Sequence, residues 1–428
     1  MLRLVLLLAL PIFMGDAFAQ ETQAQAELFA ETFDAHWERL EKEYPYFELY
    51  GVDWEAEKAF HRPRAIAAKN PTEFAWELAR LITALPDPHV AFVPAIDTIV
   101  DKWSVPDVQT KRVERRIFVT SWPEEMAPAC PDGLAEDPFV YPEILSVCGQ
   151  PAVGVVEILA AGPLGTEFEV RLRWPDGTEV DHVLTRPDTA NLPPESKHYG
   201  KEWLIHGRVG KIGYLRIRTF DPDVATLGPD GKMTTMLRAA LKELADTDGI
   251  ILDLQGNGGG LVAASDPFLG HFLQKTQRYK WGNSGGKTRV IRTQSPRYRK
   301  PVVALVDAGS ASGGEWAARI LHEAGRAVVI GGRTSGAEAA VHTSTGPDGS
   351  VVHYSAWPMI QPGIVPFQEK GIDVDHFLPL TIEAVQEHGF DVAQEQVLRA
   401  RYAKALEVLK APAADLDALL ELAATKER

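Results

Sequence analysis

A serine flanked by glycines, Gly309-Ser-Ala-Ser312-Gly-Gly-Glu315, is where this sequence is best equipped for chemistry. The run Val302–Val306 before it is short, apolar and β-branched, which predicts a buried strand, and Trp316–Leu321 after it has helical apolar spacing. A tight turn must join the two, and Gly309, Gly313 and Gly314 give it the backbone freedom it needs. Ser312 is therefore expected at the positive end of a helix, presented on a strand-to-helix turn. Serine is a weak nucleophile at neutral pH and needs a base within hydrogen-bond reach. A second reading of the same residues stays open: Ser312 and Glu315 fit a capping box, in which each side chain satisfies an orphan amide of the helix.

The base has to come from elsewhere in the chain. Ala24 to about Leu85 carries apolar residues at helical spacing, as in Phe74, Trp76, Leu78, Leu81 and Ile82, and predicts a helical N-terminal cap. Leu85-Pro-Asp-Pro-His89 ends it, since two prolines forbid further helix, and an alternating apolar run follows. His89 thus sits on a rigid turn. A loop histidine standing alone is ordinarily a polar surface residue, and only its surroundings could make it a base.

Residues 111–192 change character. Ile117–Val119, Tyr141–Val147, Phe168–Trp174 and Val180–Leu184 read as strands, Pro175-Asp-Gly177 as a hairpin turn and 153–161 as a short helix. Asp188–His198 reads as a linker. From Gly210 strand and helix alternate: Gly213–Ile217, Lys232–Ala245, Gly249–Leu254, Leu261–Leu273, strand 302–306, helix 315–324 and strand Ala327–Ile330. The glycine run Gly256-Asn-Gly-Gly-Gly260 between strand and helix lacks the Gly-Lys-Ser/Thr ending of a phosphate loop, but its amides suit another anion. The tail from Asp391 to Lys426 reads as amphipathic helices packing on the outside.

With 428 residues, 45 % of them hydrophobic, the chain is long enough for two or three globular units, and a net charge of −15 argues against nucleic acid as a partner. Arg3, the apolar run Leu4–Met14 and Ala17-Phe-Ala19 read as a secretory signal segment over 1–19, with no integral membrane segment after it. A periplasmic or secreted location is expected. The two cysteines, Cys130 and Cys148, are expected to pair in an oxidising compartment.

Three stretches together resemble the C-terminal processing, or tail-specific, serine peptidases and the related tricorn protease core: Ile250-Ile-Leu-Asp-Leu-Gln-Gly-Asn-Gly-Gly-Gly260, Pro301–Glu315 and Gly331-Gly-Arg-Thr-Ser-Gly336. Glu369-Lys-Gly-Ile-Asp-Val-Asp375 is similar to the element that follows them in that family, so the resemblance covers about Lys211–Leu380. It implies Ser312 as nucleophile. The bacterial tail-specific enzymes carry a lysine base after the third motif, but this sequence reads Ser335-Gly-Ala-Glu338 there, which excludes that dyad. The tricorn-like branch uses a histidine in a short Asp/Ser-x-His element and a late glutamate, which Asp87-Pro-His89 and Glu369 resemble. The resemblance also implies an oxyanion hole, for which the amides of Gly313 and Gly259 are the expected donors. Tyr141–Ala152 and Gly162–Gly177 resemble strands of a shortened PDZ domain.

The expectations are these. The fold is α/β within a mixed α+β multidomain chain: signal segment 1–19, helical domain 20–110, PDZ-like module 111–195, crotonase-like core of ββα units over 196–385, and helical tail 386–428. The activity is serine endopeptidase cleavage of polypeptides by Ser312, His89 and Glu369, without metal or cofactor, as an oligomer or a monomer. The same core also recurs in retinoid-binding repeats, so a binding protein or inactive scaffold is the alternative.

Overall fold

The computed structural model describes residues 10–95, 103–114, 116–134, 137, 139–152, 160, 162–189, 203–220, 231–281, 287–358 and 366–425. The expected signal segment, the helix over 153–161 and the linker lie wholly or partly outside these residues.

The Ser312 turn belongs to a six-stranded sheet whose strands lie side by side in chain order: Leu204–Val209, Ile212–Ile217, Gly249–Asp253, Val302–Val306, Ala327–Gly331 and His376–Phe377. The first pair is antiparallel and every later pair is parallel. Every residue of Gly249–Asp253 and of Val302–Val306 is buried, as the unbroken apolar runs require of strands covered on both faces. Helices Lys232–Glu243, Val262–Gly270 and Gly313–Glu323 cover one face through Leu237, Leu241, Phe268, Trp316 and Ile320. The other face is covered by the tail. Tyr402, Ala405 and Leu406 of helix Ile382–Val408 and Leu419 of helix Leu416–Thr425 pack on Tyr214, Ile251, Val303 and Leu305. The tail is therefore a layer of the core and not an outer ornament. Its helical spacing showed an apolar stripe but not what the stripe would meet.

The N-terminal cap is built from helices Leu10–Glu43, Trp54–Ile66 and Pro71–Thr83. Asn70 starts the last of them, its side chain accepting from Glu73 N, with Pro71 in the first turn where a missing N–H costs nothing. Phe29, Phe33, Trp37 and Leu40 pack against Phe74, Leu78, Leu81 and Ile82. Beyond the two prolines, strand Ala91–Val93 pairs antiparallel with Val351–Trp357, which forms a hairpin with Ala340–Thr345. That hairpin contributes Ala339, Val352, Tyr354 and Ala356 to the hydrophobic cluster of the cap. One cluster thus spans the boundary expected between the cap and the catalytic core, and it fixes the His89 turn to the core.

Buried in this seam is His36, whose Nδ1 lies 2.9 Å from Ser344 Oγ and whose Nε2 lies 3.1 Å from Ser350 Oγ. Burial pushes its pKa down to about 4, against a weaker opposing pull from Asp348. The unfolded chain, with histidine near 6.5, binds this proton first as pH falls, so the native state is disfavoured progressively from about pH 6.5 down to about 4. Unfolding free energies in urea should fall over that window by about 3 kcal/mol through this residue, and His36→Gln should flatten that contribution. An unchanged slope in His36→Gln would show that His36 does not link the cap to pH.

The module after the cap is an antiparallel sheet of Gln109–Val113, Arg116–Ser121, Glu143–Val147, Glu167–Arg173 and Glu179–Thr185, with Gln150–Pro151 pairing at its side. Trp174 N donates to Thr178 O across the expected Pro175-Asp-Gly177 turn, where Gly177 has φ 89°. The expected disulfide is not formed: Cys130 and Cys148 are not joined to each other. Cys148 occupies the Val147–Gln150 turn at φ 52° and packs against the apolar core of the module, next to Arg186, whereas Cys130 is exposed.

Candidate active site

Two loops at the carboxyl ends of adjacent parallel strands are tied together around Ser312. Asp307 Oδ1 accepts from Gly256 N (2.8 Å) and Gly309 N (3.0 Å), Ser310 Oγ donates to Leu254 O (2.8 Å), and Ala311 N donates to Asn257 O (2.9 Å). A Cβ added at Gly314 would lie 2.4 Å from Asn257 O, so only glycine permits this approach. Ser312 itself is half-buried at φ 49°, ψ −118°, a conformation that costs a non-glycine residue energy and marks sites where geometry serves function. Ser312 and Glu315 form a capping box, in which the Ser312 side chain faces the Glu315 amide and Ser312 N donates to Glu315 Oε2 at 3.0 Å.

Gly259 lies against the nucleophile as expected, since a Cβ on it would sit 2.7 Å from both Ser312 Cβ and Gly313 N. Its amide, however, donates to Asn257 Oδ1 at 2.9 Å, while the Asn257 side chain in turn donates to Ile217 O. The expected second oxyanion donor is thus already committed. The amides of Gly313 and Gly260 make no hydrogen bond among the described residues, and the Gly260 nitrogen is 3.3 Å from where a Cβ of Gly313 would be.

Glu315 is fully buried and gathers four donors: Thr334 Oγ1 (2.5 Å) and Gly336 N (2.7 Å) on Oε1, Ala337 N (2.9 Å) and Ser312 N (3.0 Å) on Oε2. Burial pushes its pKa up to about 7 although all four hydrogen bonds pull it down. Thr334 Oγ1 also accepts from Ile372 N. One carboxyl therefore joins the nucleophile to the segments 334–337 and 372. Ala337, at the place where the tail-specific enzymes carry lysine, is 1 % exposed and packed.

His89 follows Asp87, which accepts from the backbone N of His89 on Oδ1 (2.9 Å) and from Tyr44 OH on Oδ2 (3.1 Å). Both ring nitrogens of His89 are buried without a hydrogen-bond partner. Burial pulls the imidazole below its ordinary 6.5, against the opposing charge of Asp87, so the ring is a neutral base at neutral pH. Glu369 is placed by its backbone: φ 66°, its amide on Gly336 O (2.8 Å) and its carbonyl accepting from Arg333 Nη2 (3.1 Å). Gly336 makes room for it, since a Cβ there would lie 2.7–2.9 Å from Glu369 backbone atoms. Glu369 and Ser312 are thus joined by three hydrogen bonds, through Gly336 and the Glu315 hub, whereas no hydrogen bond ties the His89 ring to either. Beside them Glu338, 1 % exposed, accepts from the amides of Phe367 and Gln368 and donates its own amide to Gln368 Oε1, with Tyr46 in its field.

Three features of this candidate site escape sequence reasoning. Gly260, Glu315 as a hub and the Tyr44–Asp87 brace depend on contacts between distant segments. Only Glu315 left a signal, its capping-box spacing from Ser312.

Residues 211–377 match the model of peptidase family S41, and residues 25–82 match that of the tricorn protease C1 domain. The Bacillus subtilis carboxy-terminal processing protease CtpB is 28 % identical over 218 residues, which is 48 % of this chain and 43 % of that one. A chloroplastic carboxyl-terminal-processing peptidase 3 from Arabidopsis thaliana is 27 % identical over 223 residues, 50 % of this chain and 41 % of that one. The chain therefore spans about two fifths of the length of these relatives. In fold, mature CPAF superimposes over 90 % of this chain and 98 % of its own with a TM-score of 0.59 at 14 % identity. Residues 211–377 thus carry the region that the S41 peptidase model describes. Over about half of its length the chain is similar to these carboxy-terminal processing proteases.

Proposed function

We propose that this protein is a serine endopeptidase that cleaves polypeptides through an acyl-enzyme. The observation that carries the reading is Ser312, held at φ 49° at a helix N-terminus against the Gly259–Gly260 loop, where the amides of Gly313 and Gly260 make no hydrogen bond among the described residues. Ser312 Oγ attacks the scissile carbonyl and His89 takes its proton, then returns it to the leaving amine; water repeats the sequence on the acyl group. The tetrahedral oxyanion is met by the amides of Gly313 and Gly260, Gly259 being engaged by Asn257. Glu369 is the residue assigned to orient His89, and Asp87 with Tyr44 fixes the backbone of the histidine turn. Unstructured and C-terminal segments of proteins are the assigned substrates. Export rests on the sequence of residues 1–19, and fractionation of cells is its check.

The test is labelling with a fluorophosphonate probe. A covalent adduct on the Ser312 peptide is expected, and a folded protein that resists the probe would favour the non-catalytic binding reading. The depressed pKa of His89 sets a second expectation. Since imidazole must be neutral to accept a proton, kcat/KM should hold through pH 6.5 and fall only below it, where His89 protonates. An acid limb centred above 6.5 would remove His89 as the base.

A further inference from the structure

A cavity of about 1040 Å³ opens at the carboxyl ends of the parallel strands, between the β-rich module and the tail helices. Its wall Gly332–Ser335 runs into the nucleophile turn, because Ser335 N donates to Ser310 O and Glu315 holds Thr334, Gly336 and Ala337. Five basic and three acidic side chains line it, in a chain whose net charge is −15. Two of the acids are already engaged: Asp253 accepts from Tyr214 OH, Tyr402 OH and Gln255 N, and Asp307 from Gly256 N and Gly309 N. Arg401 is not fully engaged. It is only 6 % exposed, its Nε donates to Leu378 O and its Nη1 to Gln255 Oε1, while Nη2 makes no hydrogen bond among the described residues. Nη2 lies 3.0 Å from where a Cβ of Gly332 would be, so the glycine keeps the space beside it open. The remaining lining is apolar, with Phe390, Val397 and Leu398 on the tail helix and Phe377, 62 % exposed, at the rim. Phe377 belongs to the last strand of the sheet, whose outer edge carries no partner among the described residues.

We propose that this cavity is a substrate-recognition site for an extended polypeptide segment that presents a carboxylate beside large apolar side chains. The carboxylate meets Nη2 of Arg401, the guanidinium nitrogen that makes no hydrogen bond among the described residues, and the apolar side chains lie on Phe377, Phe390 and Leu398. The free strand edge at Phe377 favours an extended peptide, which can add main-chain hydrogen bonds there, over a free lipid carboxylate. This assignment rests on the peptidase reading for the word substrate, and its test therefore uses binding.

The probe is a fluorescein-labelled octapeptide of alternating Leu and Glu, titrated by anisotropy into the full chain carrying Ser312→Ala. Saturable binding is expected, at least tenfold weaker for the Leu-Gln octapeptide, and at least tenfold weaker in Phe377→Asp and in Arg401→Lys. Phe377→Asp is at an exposed position and should keep its thermal midpoint, so the test survives if Arg401→Lys fails to fold. Equal binding of the Gln peptide, or binding indifferent to Phe377→Asp, would overturn the proposal. Competition by decanoate at concentrations that leave the peptide uncompeted by octanol would reassign the site to lipid carboxylates and overturn it too. Binding without fluorophosphonate labelling of the wild-type chain would sink the peptidase reading and keep the cavity; labelling without binding would do the reverse.

Discussion

Ser312→Ala and His89→Ala are each expected to lower kcat/KM on a model peptide by on the order of 10⁴ or more, and the double variant by hardly more than either single one. The reason is that nucleophile and base share one proton transfer: without the hydroxyl there is nothing for the imidazole to activate, and without the imidazole the hydroxyl stays protonated. Single-turnover kinetics on the four proteins supply the cycle. Multiplicative losses would show that the two residues act separately, and would return Ser312 to a structural role at the helix start. Glu369→Gln should cost less, because its assigned task is to orient. A lysine at Ala337 should not rescue His89→Ala, since that position is packed at 1 % exposure with its amide on Glu315 and has no room for the longer chain.

Glu315→Ala should destabilise the fold by about 4 kcal/mol or more, because it leaves four donors, from Ser312, Thr334, Gly336 and Ala337, buried without an acceptor. Glu315→Gln should lie between it and the wild type: one oxygen still accepts, but the amide NH₂ faces two donors. Activity should fall in both, as the carboxyl ties the nucleophile turn to the segment that places Glu369. Urea unfolding monitored by tryptophan fluorescence gives the first number and peptide hydrolysis the second. The pH response has a definite sign. A carboxyl raised from the ordinary 4.5 to about 7 in the native state means that the folded protein holds a proton which the unfolded chain has released, so this residue's contribution to stability declines as pH rises from about 4.5 to about 7. That opposes the His36 slope over the shared window. Removing either residue alone should therefore expose the slope of the other, and two variants with the same pH dependence would contradict both assignments.

Local chemistry made much of the molecule legible from its residues. The strand Val302–Val306 stands where its apolar run ends, the helix Gly313–Glu323 starts within two residues of its expected position, and the prolines at 86 and 88 stop the cap helix ahead of His89. Ser312 was legible for the same reason: strand, glycines and helix are contiguous, and short-range sterics decide the turn between them. The resemblance of three separated motifs supplied the peptidase class, and it also pointed to His89 and Glu369.

What the sequence could not determine depends on which surfaces meet. Periodicity gave the tail an apolar stripe, but only the tertiary structure shows Tyr402 hydrogen-bonding Asp253 and Leu406 in the sheet core, because an amphipathic helix does not encode its partner. An even cysteine count led to the expectation of a bond between Cys130 and Cys148, and the module instead keeps them apart, one beside Arg186 and one exposed. Gly259 was the expected oxyanion donor on its place in a loop; the Asn257 side chain takes its amide, leaving that of Gly260. In each case the deciding contact joins residues whose side chains the fold brings together after the backbone has been set, and such contacts leave no period, spacing or composition to read. The sequence determined the strand, glycine turn and helix that present Ser312, while the tail layer behind the sheet and the hydrogen-bond commitments around the turn, which depend on packing between distant segments, were decided by the tertiary structure.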